Sequence, residues 1–570
     1  MKFTVKSLSI VILLLCCVKT HAQWQFAKGA TGAGGDVGSS IAVDAFGYVY
    51  VGGVFKTPTL TLGTTILTND SAGTSDIFLA KYDSLGNLIW AKREGGKGDD
   101  IVAQVAVDVQ GHVFVAGNTS GPSITFGSTT FTSIGCPRYF LARYTTDGSL
   151  TWAKSYDTAY NSIGCPETYS ASVVTDWWGN AYLALDFVGT FVVGRDTATT
   201  NLYDRTESLI LKYDTSGSVR RMSHLFSERY TFVSTSSIAI DGDGNLYGTG
   251  STSGNEIYVP PVADTGGAYI WKHFLFKMDT AGNGVHVMKI LSDNCCDVIN
   301  YKVAVSGAGD LYLAGSFGTS IISDLNIGSV TLRNYARGTR DLFLARYDSA
   351  LNFKWARQAG GNNNDYLNGI CITDNNKIFI AGSFSSDTLY FGTRQLLKRG
   401  GNSNIFFAAY DTAGTSLYAM SADSTHDANC NAIATGKGNP IYLTGAYISD
   451  SIRFGTHHLG NTDTASTNYY LARYHEIGTE KVEAVSADFS TNVFPNPGKS
   501  GESITLSFTQ YKQLKQVALL DVLGNTVFET TEFGGARLVH LKLPELPAGI
   551  YLIKATTTDG NVAKSLVVIR

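Results

Sequence analysis

One phrase recurs seven times along this chain, and no other feature restricts its fold as much. It reads FLAKYD (78–83), FLARYT (140–145), LILKYD (209–214), FLFKMD (274–279), FLARYD (343–348), FFAAYD (406–411) and YLARYH (470–475). The markers Tyr82, Tyr144, Tyr213, Met278, Tyr347, Tyr410 and Tyr474 stand 62, 69, 65, 69, 63 and 64 residues apart. So regular a period means that each copy is one structural unit, stacked on its neighbours to bury an apolar face.

Within each copy the order of signals is constant. An alternating strand–turn–strand comes first, as in IAVDAFGYVYVGG (41–53), VAVDVQGHVFVAG (105–117) and IAIDGDGNLYGTG (238–250). An apolar–Gly step follows at Leu62-Gly63, Phe126-Gly127, Val193-Gly194, Ile327-Gly328, Phe391-Gly392 and Phe454-Gly455. Then come the repeated phrase, a turn such as DSLGN (83–87), and a last strand such as LIWAK (88–92), LTWAK (150–154) or FKWAR (353–357). Asp/Gly/Asn clusters between β-rich runs are hairpin signals, and helical periodicity is absent. The expectation is an all-β chain with four main strands per copy, a seven-bladed β-propeller. Only 16% of residues are charged, against a usual ~25%, while 12% are aromatic, which fits a folded, core-rich chain.

The ends of the array carry the sharpest expectation. YLARYHEIG (470–478) leads into EKVEAV (480–485), which lacks the aromatic–Ala–Lys strand, whereas WQFAKGATG (24–32) parallels LIWAKREGG (88–96). The strand at 24–28 is therefore expected to complete the last blade of a propeller spanning 23–476, removing two exposed edges. The repeat pattern resembles the bacterial seven-bladed β-propeller (SBBP-type) repeat family over nearly all of 24–476. Copies three and four are degenerate, with ALDF (184–187) in place of the usual Gly and HVMK (286–289) in place of WAK. That resemblance implies a fold and no particular reaction.

Both termini read as addresses. Lys2 and Lys6, the apolar run Leu8–Val18 and Thr20-His21-Ala22 form a secretory signal over 1–22, cut before Gln23. The run is too short to span a bilayer, and no later stretch is long enough for a transmembrane helix. A lipoprotein reading through Cys16 or Cys17 places Leu15 or Cys16 where a small residue belongs. Residues 477–490 read as a linker, and 491–570 as a small β-sandwich of short alternating runs. Within it, Tyr511–Leu520 can be read as an amphipathic helix, but Val517–Val522 suits a strand better. This tail resembles the type A C-terminal sorting domain of the Bacteroidetes type IX secretion system. The resemblance rests on VFPNP (493–497, with Pro495, Asn496 and Pro497), DVLGN (521–525), LPELPAGIYLIK (543–554, with Gly549 and Tyr551) and DGNVAKSLVVIR (559–570). It implies Sec export through the periplasm, recognition of 491–570 by the type IX machinery, and removal of the tail. Release or attachment at the outer-membrane surface would follow, with 477–490 the natural cleavage region.

The chemistry is sparse. A net charge of −4 leaves no basic footprint for nucleic acid, and HExxH, Walker A, GxSxG and CxxC patterns are absent. No cofactor or metal site is expected. Asp241-Gly-Asp243-Gly-Asn245 resembles a calcium loop but has Leu246 and Thr252 where Gly and Glu belong, so a hairpin turn is the better reading. His457-His458 lack a third ligand, and Gly32–Gly38 aligns with the connections GGKGDD (95–100) and GGNNND (360–365).

The repeated SIGCP (133–137 and 162–166) suggests a Cys136–Cys165 disulfide, Cys295-Cys296 are bonded or free, and Cys371 stands where other copies have Ala42, Ala106 and Ala239. Asp36, Asp100 and Asp365 each fall five residues before an inner strand (Ile41, Val105, Ile370), either lining a channel mouth for a ligand or cation, or seating the strand in an Asx turn. Trp90, Trp152 and Trp355 recur on the last strand and fit inter-blade packing. Trp177-Trp178, on a turn where other copies are small or polar, are a candidate contact site. Together these features point to an exported, non-catalytic binding, adhesion or scaffold module, whose partner is a glycan or a surface protein. The alternatives are a polysaccharide hydrolase or lyase with channel-mouth carboxylates, and a purely structural surface component.

Overall fold

In a computed structural model, residues 23–30, 35–132, 138–157, 171–200, 205–227, 232–265, 272–290, 299–318, 324–424, 426–448, 450–461, 466–475, 491–494, 499–508, 514–521, 526–531, 538–547, 549–557 and 562–569 are described. The signal segment, the linker, Pro495, Asn496, Pro497, Cys136, Cys165, Cys295 and Cys296 lie outside them. The described elements are all strands, so the chain is all-β, and no helix among them is long and apolar enough to cross a membrane. The chain divides into two compact units, one of them Ala22–Glu476 and the other containing Ile477–Arg570.

In the first unit the repeat becomes a repeated sheet. Strands Val37–Val43, Val49–Phe55, Asp76–Tyr82 and Leu88–Gly96 lie side by side in chain order, all antiparallel. Sheets two to six repeat that order, beginning at Asp100, Ala171, Val233, Ile299 and Asp365. The seventh sheet takes three strands from the end of the array, Ala428–Thr435, Pro440–Tyr447 and Asn468–His475. Its fourth, Gln23–Gly29, comes from the other end of the unit. Ala27 pairs with Ala472 and Lys28 with Leu471. The inner strand of each sheet packs against the inner strand of the next, and Ala428–Thr435 packs against Val37–Val43.

Two details depart from expectation. The inner strands begin at Val37, Asp100 and Asp365, not at 41, 105 and 370. A bulge between Gly38 and Ser40, Val102 and Gln104, or Leu367 and Gly369 inserts one residue and flips the inward face, so alternation cannot be followed across it. Each apolar–Gly step is also the turn of an extra short hairpin, as in Thr59–Leu62 with Thr65–Thr68, where Gly63 has φ +57°. In repeat two this hairpin pairs with the outer strand of the preceding sheet, Ile124 with Gly96 and Thr125 with Gly95. Single bridges Phe226–Tyr258 and Gly360–Tyr390 do the same elsewhere. The unit is thus built of six strands per repeat, four in the sheet and two in the hairpin, which in repeats two, four and six pairs with the preceding sheet.

The core lies between sheets. Tyr312, Leu342 and Leu344 of the fifth sheet, for example, interlock with Ile378, Ile380 and Phe406 of the sixth. At the turn end of three junctions a tryptophan joins one sheet to the next. Trp90, Trp152 and Trp355 donate through Nε1 to the carbonyls of Thr146, Thr215 and Thr412 at 3.1, 3.1 and 3.0 Å. Each indole covers a turn glycine of positive φ, Gly148, Gly217 or Gly414. An added Cβ would stand 3.0, 2.7 and 3.0 Å from the ring, so only glycine permits the contact. Phe26 of the N-terminal strand covers Gly86 in the same way, with a Cβ–ring distance of 2.8 Å.

The second unit has two antiparallel sheets. One holds Thr491–Phe494, Ser503–Phe508 and Leu538–Lys542; the other holds Thr526–Thr530, Leu514–Leu520, Gly549–Thr557 and Val562–Ile569. Leu514–Leu520 is a strand and not a helix, with Val517 and Leu519 joining Ile504, Leu506, Ile553 and Ala555 in the core. Gly549 pairs with Ile569, and the buried Tyr551 donates its hydroxyl to the Pro547 carbonyl at 2.7 Å.

Candidate functional site

Side chains with chemistry occupy both ends of the repeated sheets. At one end lie the turns between first and second strands. In the third sheet, Asp176 Oδ1 accepts from the amides of Trp178 (3.0 Å) and Asn180 (2.9 Å), while Oδ2 accepts from Asn180 Nδ2 (2.7 Å). This Asx turn, closed at Gly179 with φ +80°, leaves Trp177 and Trp178 61% and 64% exposed. Trp178 leans toward the equivalent turn of the fourth sheet, where a Cβ on Gly244 would stand 3.4 Å from the ring. The corresponding position of the first sheet carries Phe46, 70% exposed.

The same turn accounts for the calcium-like sequence. Asp241 Oδ1 accepts from the amides of Asp243 and Asn245 at 3.0 and 2.8 Å, and Oδ2 from Asn245 Nδ2 and the Tyr247 hydroxyl at 2.9 and 3.1 Å. Its oxygens are committed to the hairpin. Among the described residues no group of three His, Cys, Asp or Glu side chains is placed to hold a metal. His457 Nε2 lies 3.2 Å from the Trp24 carbonyl, against the N-terminal strand. Cys371 and Cys430 are free thiols in one core cluster, and burial pushes the Cys430 thiol up to about 12.

Asp36, Asp100 and Asp365 lie at the opposite strand ends, one each on sheets one, two and six, and none has any solvent exposure. Each clamps the head of its inner strand to another segment. Asp36 Oδ1 accepts from Thr57 Oγ1 (3.1 Å), and Asp100 Oδ2 from the Gly96 amide (2.9 Å). Asp365 accepts from the amides of Ser385 and Ser386 and from Ser386 Oγ (2.9 Å). Desolvation raises all three, Asp36 to about 6 and the other two to about 7.

Two further buried aspartates, Asp76 and Asp341, open the third strands of sheets one and five and were not singled out from the sequence. A signal existed: the residue two positions ahead of the recurrent phrase is Asp in these two copies and Arg138, Glu207, Lys272, Asn404 or Asn468 in the others. An exposed aromatic pair was missed as well. Tyr335 and Tyr390, 50% and 38% exposed, stack with centroids 5.8 Å apart and planes 17° from parallel. Tyr335 follows the strand Val330–Arg333 in a loop and Tyr390 lies on the strand Thr388–Phe391 of the next repeat, with no shared sequence phrase.

Comparison with known proteins bears on the two units differently. An uncharacterized WD repeat-containing protein of Acanthamoeba polyphaga mimivirus is 20% identical over 523 residues, covering 78% of this chain and 36% of its own length. The chain thus spans about a third of the curated relative it matches. Among solved structures, a polysaccharide lyase that is an ulvan lyase aligns with a TM-score of 0.38 at 11% identity. It covers 77% of this chain and 99% of its own. A puromycin hydrolase aligns with a TM-score of 0.37 at 11% identity, covering 75% of this chain and 55% of its own. Residues 492–569 match the family model of the secretion system C-terminal sorting domain. The chain therefore carries a type IX C-terminal sorting domain that engages the secretion machinery, and the protein is exported, to be secreted or attached at the cell surface.

Proposed function

We propose that residues 23–476 form a closed seven-bladed propeller serving outside the cell as a non-catalytic binding module. Closure is supported by the pairing of Gln23–Gly29 with Asn468–His475, by the contact of each inner strand with the next, and by Phe26 standing where Trp90 stands one blade later. The binding role rests on the exposed pair Trp177–Trp178, two large apolar rings held outward on a turn whose own hydrogen bonds are complete. Side chains of that kind in solvent are the mark of a contact surface. The carboxylates considered for a catalytic channel mouth have instead no solvent exposure and bind backbone and hydroxyl groups of the fold. A signal peptide over 1–22, loss of the tail near 477–490 and a glycan or surface protein as partner complete the reading.

The test is a glycan and polysaccharide array on the purified chain, with product release followed in parallel. Binding without turnover, lost in Trp177→Ala/Trp178→Ala, is the expected result. New reducing ends would overturn it.

A further inference from the structure

Two junctions between neighbouring sheets bury a pair of carboxylates with too few hydrogens around them. At the first, Asp76 opens the third strand of sheet one and Asp100 opens the inner strand of sheet two. Asp76 Oδ2 accepts from the Asp70 amide (2.8 Å) and Arg93 Nη1 (3.1 Å), and Asp100 Oδ2 from the Gly96 amide (2.9 Å). Asp76 Oδ1 is buried and accepts nothing among the described residues, while the Thr119 side chain is a further hydrogen-bond donor to Asp100. Both side chains converge on Gly95, where an added Cβ would stand 2.5 Å from Asp76 Oδ1 and 3.0 Å from Asp100 Oδ2. The two acids face each other across the space a side chain would fill.

At the junction between sheets five and six, Asp341 and Asp365 open the corresponding strands and are equally buried, with Asp365 accepting on both of its oxygens. Asp341 Oδ2 accepts from the Tyr335 amide (2.7 Å), six residues earlier as Asp70 is from Asp76, and from Gln358 Nε2 (3.2 Å), which occupies the place of Arg93. Asp341 Oδ1 is buried without a close hydrogen bond among the described residues, the Gly361 amide being a further donor beside this carboxyl. Recurrence at equivalent positions in two junctions makes an accident of side-chain placement a poor explanation. A buried carboxylate oxygen with no donor is costly, and two such groups together cannot both ionise without repulsion.

We propose that each pair holds one proton between its two carboxyl groups, Asp100 donating to Asp76 Oδ1 and Asp365 to Asp341 Oδ1. Loss of that proton to water leaves two like charges at the junction and drives the two sheets apart. Two observations agree. Burial lifts Asp100, Asp341 and Asp365 to about 7, with the neighbouring aspartate adding to the shift at Asp100 and Asp365. The charged and titratable groups around the first pair are Arg93, Asp70 and Asp99, the last with Lys56 at 3.9 Å; around the second the nearest is Tyr335. Arg93 favours the ionised form of the first pair by its charge as well as its hydrogen bond, whereas the neutral Gln358 offers the second a hydrogen bond alone. The second pair therefore keeps its proton to higher pH.

The sign follows from linkage. Acids raised from 3.8 to about 7 on folding bind more protons in the native than in the unfolded chain between those values. Stability is therefore expected to fall as pH rises through that window. The experiment is the melting temperature of the full chain from pH 5 to pH 9, with and without added calcium. The expected result is a fall with rising pH from 5 to about 7 that levels off above it, and that flattens in Asp365→Asn because the amide supplies the missing hydrogen at every pH. Gln358→Arg should move the midpoint of the fall to lower pH, and decides the matter if Asp365→Asn does not fold. A flat profile, an unaltered slope in Asp365→Asn or an unmoved midpoint in Gln358→Arg overturns the proposal. So does a calcium-dependent rise in melting temperature at pH 8 that Asp365→Asn abolishes, since a cation would then hold the pair.

Discussion

The junction from sheet five to six and the junction from four to five solve the same packing problem with different residues. In the former, Trp355 lies over Gly414 and bonds the Thr412 carbonyl. In the latter the tryptophan position is His286, exposed, and the turn glycine is replaced by Leu351, which keeps the positive φ (+62°) yet is buried. Leucine fills from one side the space an indole fills from the other. The exchange is imperfect: a cavity of about 270 Å³ opens there, lined by Met288, Ile290, Tyr347 and Phe353 among others. Tyr347 brings a buried hydroxyl with no partner, whereas Tyr144 donates to Glu94 (3.0 Å) and Tyr213 to Tyr156 (2.8 Å) one and two sheets after the start of the array. A repeat holds its geometry by position, and its members drift in pairs across a junction.

This contrast can be broken most forcefully at the indole. Trp355→Ala removes a ring and a hydrogen bond, so a loss of about 3 kcal/mol is expected, against less than about 0.5 kcal/mol for His286→Ala at the same position. Denaturant titration of both variants checks it, and equal losses would dissolve the distinction. Next comes Gly217→Ala, where the new Cβ would stand 2.7 Å from Trp152 at positive φ; it should cost about 2 kcal/mol, read in the same titration. Smaller still is the tyrosine pair. Tyr144→Phe should cost about 1 kcal/mol by stripping Glu94 of a donor, while Tyr347→Phe should be neutral or slightly stabilising because no bond is lost. Paired thermal melts would show whether the two differ in sign.

How much of this was legible depends on the distance over which a contact acts. The recurrent phrase, the strand order and the parallel between WQFAK and LIWAK are local patterns and could be read directly. The Trp90–Thr146 bond joins residues 56 apart, so the packing role of the tryptophans was visible as a period, but their glycine partners were not. Bulges such as that between Val102 and Gln104 erase the alternation that would have placed Asp100 inside a strand. Those carboxylates therefore read as either channel-mouth residues or strand-seating turns, their full burial was not visible, and Asp76 and Asp341 passed unnoticed. The Tyr335–Tyr390 pair, assembled from two repeats, left no trace in either. Trp177 and Trp178 stood out because a hairpin turn cannot hide two indoles, whereas Phe46, a single ring at the same place in the first sheet, did not.

The account rests most heavily on the ends of the array being tied together. Hydrogen exchange of the full chain, followed peptide by peptide, tests this without altering a residue. If Gln23–Gly29 is the fourth strand of the seventh sheet, its amides should exchange as slowly as those of Leu88–Gly96 and Leu150–Asp157, the outer strands of sheets one and two. Exchange of 23–29 at the rate of a free terminus, with 468–475 losing protection along one edge, would contradict the account.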